Sequence, residues 1–183
     1  MRFREEAKVK GMIYVDPEKC MGCHTCEIAC AVAHSGSKEL LKAIHEEPRP
    51  RPRVVVEAVG GAAVPLQCRH CEDAPCVAIC PTGAMAKLDG GPVVVREELC
   101  IGCKACMLVC PFGAVTMRPE GKAVHKCDLC IERLEAGEEP ACASACPTGA
   151  LRFGPVEEVV REARRKAAER FLVSFERREQ VVA

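Results

Sequence analysis

Hydrophobic positions along this chain form short runs separated by turn residues. Ile13–Val15 is the first such run, and the runs that follow come in pairs around glycine- or proline-containing turns. Runs of this length predict short β-strands, and two runs joined by a tight turn predict a β-hairpin. The predicted hairpins join Arg53–Val59 to Ala62–Leu66, Met85–Leu88 to Val93–Arg96, and Ala114–Arg118 to Lys122–His125.

The C-terminal end of the chain follows a different period. From Val156 to Glu179 there is no Gly, Pro or Cys, and the apolar residues recur at helical spacing. Acidic residues lie in the first turn and arginines lie near the end, as the helix dipole favours. We therefore predict an amphipathic helix. Its narrow apolar stripe is expected to pack on the protein's own body, with docking to a partner subunit or to a second copy as the alternatives.

Sixteen cysteines fall into four groups of four, a feature that the strand pattern does not account for. Three groups end in a near-identical phrase, CPTGA at 80–84, CPFGA at 110–114 and CPTGA at 146–150, which marks an internal repeat. The groups are Cys20, Cys23, Cys26 and Cys30; Cys68, Cys71, Cys76 and Cys80; Cys100, Cys103, Cys106 and Cys110; and Cys127, Cys130, Cys142 and Cys146.

Residues 31–67 form an insertion between the first two cysteine groups. Within it, Ser37–His45 is predicted to form a short helix. The stretch 47–52 has proline at alternate positions, so it is predicted to be extended rather than helical. The first predicted hairpin completes the insertion.

Composition and charge limit the class of protein. Only 3% of the 183 residues are aromatic, so large side chains for an ordinary core are scarce. The formal net charge of 0 gives no electrostatic support for binding a nucleic acid. The N-terminal stretch lacks the apolar region of a secretory signal, and no apolar run approaches the roughly 18 residues of a membrane span. We expect a cytoplasmic protein whose reduced thiols bind metal.

The third cysteine group, CIGCKACMLVCP, has the spacing C-x2-C-x2-C-x3-C-P of bacterial iron–sulfur proteins, whose fourth cysteine ligates the second cluster of a pair. Gly102 permits a tight turn around a cluster, and Pro111 redirects the chain after it. The first group has the same spacing without the proline. The second and fourth groups widen one gap to four and eleven residues, which costs little loop-closure entropy. All four groups are therefore predicted to supply cluster ligands.

Disulfides, zinc and inert buried thiols are the alternatives for so many cysteines. Disulfides conflict with a reducing compartment. Zinc is the strongest alternative to a cluster at the fourth group, because its two cysteine pairs flank a loop as in four-thiolate zinc sites. Against zinc, Cys146 begins the same CPTGA phrase as Cys80. We therefore adopt four clusters as the interpretation, with three clusters and one zinc as the alternative.

These motifs resemble the four-cluster, ferredoxin-like electron-transfer subunits of molybdenum and tungsten oxidoreductases of the dimethyl sulfoxide reductase type, of formate-linked hydrogenases and of CO dehydrogenase. CRHCEDAPCVAICPTGA and the CDLC…CASACPTGAL ending carry the resemblance, which covers about residues 11–154. Within this group, the stretch from AIHEEPRPRPR to CRHCEDAPC is most similar to the CO dehydrogenase-associated ferredoxin subunit.

The resemblance implies an α+β fold of two bacterial-ferredoxin-like halves, and the C-terminal helix predicted from the periodicity lies outside the shared pattern. One half would comprise 11–30 and 124–154 and the other 68–123, with the insertion at 31–67 and the helix at 155–183. Four [4Fe–4S] clusters are implied, because no cysteine of the third group is replaced. The implied ligand sets are Cys20, Cys23, Cys26 and Cys146 for cluster 1; Cys127, Cys130, Cys142 and Cys30 for cluster 2; Cys68, Cys71, Cys76 and Cys110 for cluster 3; and Cys100, Cys103, Cys106 and Cys80 for cluster 4.

Bound clusters would change the charge of a chain that otherwise counts as neutral. Each oxidised cluster with four thiolates carries about −2, so four clusters add about −8. Such charge is costly to bury without hydrogen bonds and nearby cations. We hypothesise that some cationic residues near the ligands tune the cluster potentials, the alternative being that they are solvated loop residues. These candidates are Lys19, Lys104, Lys126, His24, His70 and His125.

The predicted function is electron transfer without catalysis. All-cysteine ligation leaves no open coordination site for a substrate, and a cluster enzyme would need a group with only three cysteines. The sequence also lacks dinucleotide- and phosphate-binding motifs. The expected partners are a catalytic subunit (CO dehydrogenase, hydrogenase, formate dehydrogenase or aldehyde oxidoreductase) and a second redox protein. The alternative is an assembly module, in which the C-terminal helix self-associates and lines up clusters between copies.

Overall fold

The computed structural model describes residues 11–118, 121 and 123–182, with side chains described up to residue 173. Its strands are β1 (Met12–Val15), β2 (Val54–Val59), β3 (Ala62–Gln67), β4 (Met85–Lys87), β5 (Val93–Val95), β6 (Val115–Met117), β7 (Val124–Lys126) and β8 (Leu151–Gly154). Its helices are α1 (Thr25–Ala33), α2 (Leu40–Ala43), α3 (Pro75–Ala78), α4 (Ala105–Leu108), α5 (Ile131–Glu135), α6 (Ala141–Ser144) and α7 (Val156–Val182). Apart from α7, the elements are short, as the frequent turn residues predict.

The described strands pair in antiparallel twos. β2 pairs with β3, β4 with β5 and β6 with β7, which confirms the three predicted hairpins. Lys122 and the turn residues Pro119 and Glu120 lie outside the described residues. β1 pairs with β8, so that the segment just before the first cysteine group meets the segment just after the fourth. β8, a four-residue strand, is not predicted from the sequence.

The helix in the insertion is shorter than predicted. α2 cannot begin earlier because Lys38 has a left-handed φ of 55° and Glu39 is extended. The carboxylate of Glu46 instead accepts hydrogen bonds from the backbone N–H groups of Gly36 and Ser37 at 3.0 and 2.8 Å, which closes this loop. The proline-rich stretch that follows contains neither helix nor strand, as predicted.

Three groups of buried residues form the core. Cysteines are prominent in the two larger groups, and the smallest group is Leu88, Val94 and Ile131. The first group is Ile13, Cys26, Cys30, Val54, Cys127, Leu129, Cys142 and Leu151. The second group is Ala74, Cys76, Met85, Val93, Cys106, Val115 and Val124. β7 therefore packs and pairs with the part of the chain that carries the second and third cysteine groups, whereas the sequence prediction assigned residues from 124 onward to the other half.

A C-terminal helix is present as predicted, but its contacts differ from the expectation. Among its described side chains, Val159, Glu162 and Lys166 are half-buried and the others are exposed. Val156 and Val160, from the predicted apolar stripe, are 51% and 46% exposed. Three ion pairs instead connect the helix to the body, namely Glu162–Arg152 at 2.5 Å, Lys166–Asp16 at 2.5 Å and Arg170–Glu18 at 2.6 Å. None of the helices in the described residues combines the length and apolar character needed to cross a membrane.

Candidate iron–sulfur sites

The first and third cysteine groups share one backbone conformation. Gly22 and Gly102 have positive φ values of 70° and 69°, and His24 and Lys104 have values of 57° and 65°. A left-handed backbone is unfavourable for a residue with a side chain, so its repetition indicates a site that requires it. α1 and α4 begin immediately after His24 and Lys104, which places the third cysteine of each group in a first helical turn. Both loops are therefore shaped for the same kind of ligand.

The second and fourth groups form another matched pair. His70 and Leu129, each directly before the second cysteine of its group, have φ values of 49° and 63°. The backbone N–H of His70 donates to Cys68 Sγ, and that of Leu129 donates to Cys127 Sγ, both at 3.4 Å. These hydrogen bonds stabilise negative charge on the sulfur.

The CPTGA phrases place a thiol beside a strand end. The N–H of Met85 donates to Cys80 Sγ at 3.5 Å, and that of Leu151 donates to Cys146 Sγ at 3.4 Å. Burial opposes ionisation of both thiols, but these N–H groups and the nearby threonines lower the pKa of Cys80 and of Cys146. A lowered pKa favours the thiolate, which is the form that binds a metal.

Cys146, the last cysteine of the fourth group, lies near the first group. Hydrogen bonds from Thr25 lower the pKa of the exposed Cys23 thiol, and the charge of Cys146 opposes that change. Burial raises the pKa of the Cys26 thiol to about 11, and the charges of Glu27 and Cys146 add to the shift.

Conversely, Cys30, the last cysteine of the first group, lies near the fourth group. Burial raises the pKa of Cys142 far above its ordinary value, and the charges of Cys30, Cys130 and Cys26 add to the shift. Burial also raises the pKa of Cys127 well above its ordinary value, with a further contribution from Cys142. The first and fourth groups are thus interleaved.

The second and third groups are interleaved in the same way, beginning with Cys110. Burial raises the pKa of the Cys76 thiol, Lys126 opposes this shift, and the charges of Cys68 and Cys110 add to it. Cys110, the last cysteine of the third group, therefore lies near the second group.

Cys80, the last cysteine of the second group, lies near the third. Burial raises the pKa of the Cys106 thiol, and the charges of Cys103, Cys76 and Cys80 add to the shift. One small cavity is lined by four thiols from these two groups, namely Cys80, Cys100, Cys103 and Cys106.

The donor set fits iron–sulfur clusters. All sixteen cysteines lie in the described part of the sequence, and all are free thiols. Beside the second group, Gln67 Nε2 and Oε1 and His70 Nε2 are buried without a hydrogen-bond partner among the described residues. An unpaired buried donor is costly unless a bound group accepts its hydrogen bond, which the sulfides of a cluster can do.

Comparison with known proteins agrees with this chemistry. Residues 59–156, more than half of the sequence, match the family described as "4Fe-4S dicluster domain". Residues 17–33 match the family described as "4Fe-4S binding domain". This protein belongs to the 4Fe-4S dicluster family. Its cofactors are accordingly [4Fe–4S] clusters, and the predicted class of ferredoxin-like iron–sulfur electron-transfer subunit is confirmed.

Three relatives of this dicluster protein illustrate the family. An "Iron-sulfur protein" of Rhodospirillum rubrum is 50% identical over 93 residues, which cover 51% of this chain and 48% of the relative. "Probable anaerobic dimethyl sulfoxide reductase chain YnfG" of Escherichia coli (strain K12) is 38% identical over 151 residues, which cover 80% of this chain and 74% of the relative. "Thiosulfate reductase electron transfer subunit PhsB" of Salmonella typhi is 35% identical over 144 residues, which cover 78% of this chain and 74% of the relative. The protein thus spans about half the length of the first relative and about three quarters of the other two.

A half-buried ion-pair network in the dicluster protein is not predicted from the sequence. One oxygen of Asp128 lies 3.0 Å from His34 Nε2, and the other lies 2.6 Å from the Arg53 guanidinium. Burial opposes both charges, yet this pairing raises the pKa of His34 and lowers that of Asp128. The network adjoins a ligand, because the N–H of Arg53 donates to Cys30 Sγ at 3.2 Å. Only the spacing of His34 four residues after Cys30 offers a local signal.

The six cationic candidates differ in their environment. The exposed ones are Lys19, Lys104 and His24. Burial lowers the pKa of both His70 and His125, so neither is an added positive charge near neutral pH. Lys126 is different, because it is only 3% exposed and its Nζ donates to the carbonyl oxygen of Cys127 at 2.8 Å. A solvated-loop interpretation therefore fails for Lys126.

Proposed function

We propose that this dicluster protein carries four [4Fe–4S] clusters and passes single electrons between a catalytic oxidoreductase subunit and a second redox partner. The interleaving of the cysteine groups carries the proposal, because the last cysteine of each group lies near cysteines of another. Such an exchange of fourth ligands is typical of paired clusters in bacterial iron–sulfur proteins. Relatives whose names describe a dimethyl sulfoxide reductase component and an electron transfer subunit support the same role.

The proposed ligand sets follow the interleaving. Set 1 takes its fourth thiol from the fourth group and set 2 from the first, while sets 3 and 4 exchange theirs between the second and third groups. The sets are Cys20, Cys23, Cys26 and Cys146 (set 1); Cys127, Cys130, Cys142 and Cys30 (set 2); Cys68, Cys71, Cys76 and Cys110 (set 3); and Cys100, Cys103, Cys106 and Cys80 (set 4).

The same pattern supports two ferredoxin-like halves. Sets 1 and 2 share one buried core with β1 and β8, and sets 3 and 4 share a second with strands β4 to β7. Because β7 pairs with β6, we put the boundary after Lys126 rather than after residue 123. The insertion and α7 remain additions to this two-part body.

Electrostatic contacts between ligand sets support an arrangement of the four clusters in a row, in the order set 1, set 2, set 3 and set 4. Cys26 of set 1 acts on Cys142 of set 2, and Cys76 of set 3 acts on Cys106 of set 4. Lys126, at the proposed boundary, links the two inner sets. We infer that sets 1 and 4 form the ends of the row.

Exposure of the ligands agrees with that order. Cys23 in set 1 and Cys103 in set 4 are exposed, whereas all four cysteines of set 2 are buried. Electron transfer requires close approach of the partner's redox centre, so the two partners are proposed to dock near Cys23 and Cys103.

The protein's own residues bind and tune rather than react. A bound [4Fe–4S] cluster supplies one-electron chemistry at a potential that hydrogen bonds, burial and charge adjust. The N–H groups of Arg53, Met85 and Leu151 donate to ligand sulfurs, and all four cysteines of set 2 are buried away from water. Because each set has four thiols, we propose no substrate-binding iron and no catalytic residue.

The identity of the catalytic partner follows less directly. The names of the relatives favour a reductase of the dimethyl sulfoxide or thiosulfate type. CO dehydrogenase, hydrogenase, formate dehydrogenase and aldehyde oxidoreductase stay predictions from the resemblance alone.

Metal analysis of anaerobically purified protein tests the cluster number. We expect about sixteen irons and as many sulfides per molecule. Cys142→Ser and Cys23→Ser, which alter different sets, should each change one cluster in a redox titration followed by electron paramagnetic resonance (EPR), and leave the other three. Ser144→Ala, on the same helix as Cys142, is the control and should keep the full iron content. Far fewer irons in the wild type, or one equivalent of zinc, would contradict the proposal.

Self-association is the second candidate role, and the exposure of α7 favours it. Val156, Val160 and Leu172 are 51%, 46% and 63% exposed, which leaves apolar surface for a second copy. Size-exclusion chromatography with light scattering of the loaded protein should then show a concentration-dependent oligomer that Val160→Ser weakens. A monomer at every concentration would reject this role and leave the electron-transfer proposal intact.

A further inference from the structure

Lys126 is a buried cation for which the described residues supply no counter-ion. It ends β7, and its side chain is 3% exposed. Its Nζ donates to the carbonyl oxygens of Cys127 and Val93, both uncharged acceptors. Among the side chains described in residues 11–118, 121 and 123–173, no carboxylate lies within ion-pair distance of it.

A buried ammonium without a negative partner is costly, so a compensating charge is expected close by. The acid nearest in sequence, Asp128, is already paired with His34 and Arg53. The remaining source of negative charge is the set of cysteine ligands. A loaded cluster provides that charge permanently, at about −2 per oxidised cluster with its thiolates.

The position of Lys126 lets it serve two ligand sets at once. Its hydrogen bond to Val93 reaches β5 in one half, and its bond to Cys127 reaches the other half. Val93 packs in the same buried cluster as Cys76, and Cys127 directly follows Lys126 in the sequence. Cys76 belongs to set 3 and Cys127 to set 2, so this ammonium is within electrostatic reach of both inner sets.

We propose that the Lys126 ammonium is the shared counter-charge of clusters 2 and 3 and holds both reduction potentials above the values they would have without it. This inference rests on the proposed four-cluster function. Each added electron makes a cluster more negative, so a fixed nearby cation stabilises the reduced form of either one. A single buried residue thereby adjusts the reduction potentials of both clusters between which an electron passes from one half to the other.

Lys104 provides a matched control within the same protein. It directly follows Cys103 of set 4, just as Lys126 directly precedes Cys127 of set 2. Its side chain is exposed, however, so water and salt screen its charge. Adjacency to a ligand is therefore the same for the two lysines, and burial is what differs.

Redox titration of the full loaded protein, followed by EPR, tests the proposal. Lys126→Gln removes the charge and keeps a hydrogen-bond donor. It should shift the one-electron reduction of two of the four clusters toward the oxidised form by about tenfold, which is about 59 mV each. Lys126→Arg keeps the charge and should leave these potentials near the wild-type values, as should Lys104→Gln. In a Cys142→Ser background, which alters cluster 2, only one cluster should still respond with its full shift.

Every outcome decides the inference. Unchanged potentials in fully loaded Lys126→Gln, or an equal shift in Lys104→Gln or Lys126→Arg, would overturn it. If Lys126→Gln and Lys126→Met both fail to retain iron while Lys126→Arg retains it, the charge is required for loading, which supports the inference. If Lys126→Arg also loses iron, the residue acts only as a structural link and the inference fails. A wild type without four clusters would instead refute the proposed function itself.

Discussion

The cysteine-bearing body (residues 11–154) and α7 are held in place by different forces. The two larger buried cores of the body contain cysteines, and the sequence offers few aromatic side chains to replace them. α7 lies on the surface and meets the body through ion pairs, with only Val159 half-buried among its described apolar side chains. The body should therefore depend on its cofactors and the helix on charge. Different perturbations should separate the two regions.

Removal of iron should have the largest effect, and it should fall on the body. Where a cofactor fills a core, its binding free energy is part of the folding free energy. Chelation under air should therefore unfold residues 11–154 in one cooperative transition, measured by circular dichroism alongside iron content. Protein exchanged anaerobically into chelator-free buffer is the control. An iron-free protein that keeps the native spectrum would contradict this dependence.

Local features of the fold were predictable because their causes are local. Three-residue cysteine spacing and turn residues fix the loops and hairpins, which is why both were identified. β8 was missed although the repeat contained its signal. Met85 and Val115 begin strands directly after their CPTGA and CPFGA phrases, and Leu151 does the same after the third.

Features that depend on distant contacts could not be predicted in this way. His34 and Asp128 are 94 residues apart in sequence, and nothing in the spacing of either residue indicates Arg53 as the third member of the network. The burial of Lys126 likewise depends on β5, which lies in a different hairpin. For α7, helical periodicity identified the helix, but the face it presents to the body was decided by Asp16 and Glu18 beside β1.

Loss of the half-buried network should have the next largest effect. Asp128→Asn leaves Arg53 and His34 without their carboxylate, and because solvent partly screens the site, the cost should lie below the roughly 3–5 kcal/mol of a fully buried pair. The midpoint of thermal denaturation of the loaded protein should fall accordingly. Glu132→Gln removes the partner of Lys38 in an exposed pair, which is worth about 1 kcal/mol or less. Equal effects of the two substitutions would show that burial does not distinguish them.

Charge at the α7 contact should have the smallest effect, and it should leave the body intact. The hydrogen bond from Lys166 holds the pKa of Asp16 below its ordinary value of 3.8, so its stabilising contribution is present above that pH and is lost as the pH falls through the lowered pKa. The same bond raises the pKa of Lys166 above 10.5, so that contribution is lost only as the pH rises through the raised value. Docking of α7 should thus persist from about pH 5 to pH 10 and weaken at high salt.

Hydrogen exchange of α7, corrected for intrinsic rates, measures this docking. Lys166→Gln should speed exchange in the helix several-fold at pH 7 and reduce its salt dependence, while the Glu162–Arg152 and Arg170–Glu18 pairs retain the rest. Arg165→Gln is the matched control, because Arg165 is exposed and its one ion pair among the described residues is with Glu169 of the same helix, at 3.5 Å. If both variants exchange alike, the ion pairs to β1 do not hold the helix, and the contrast between a cofactor-dependent body and a charge-dependent helix is lost.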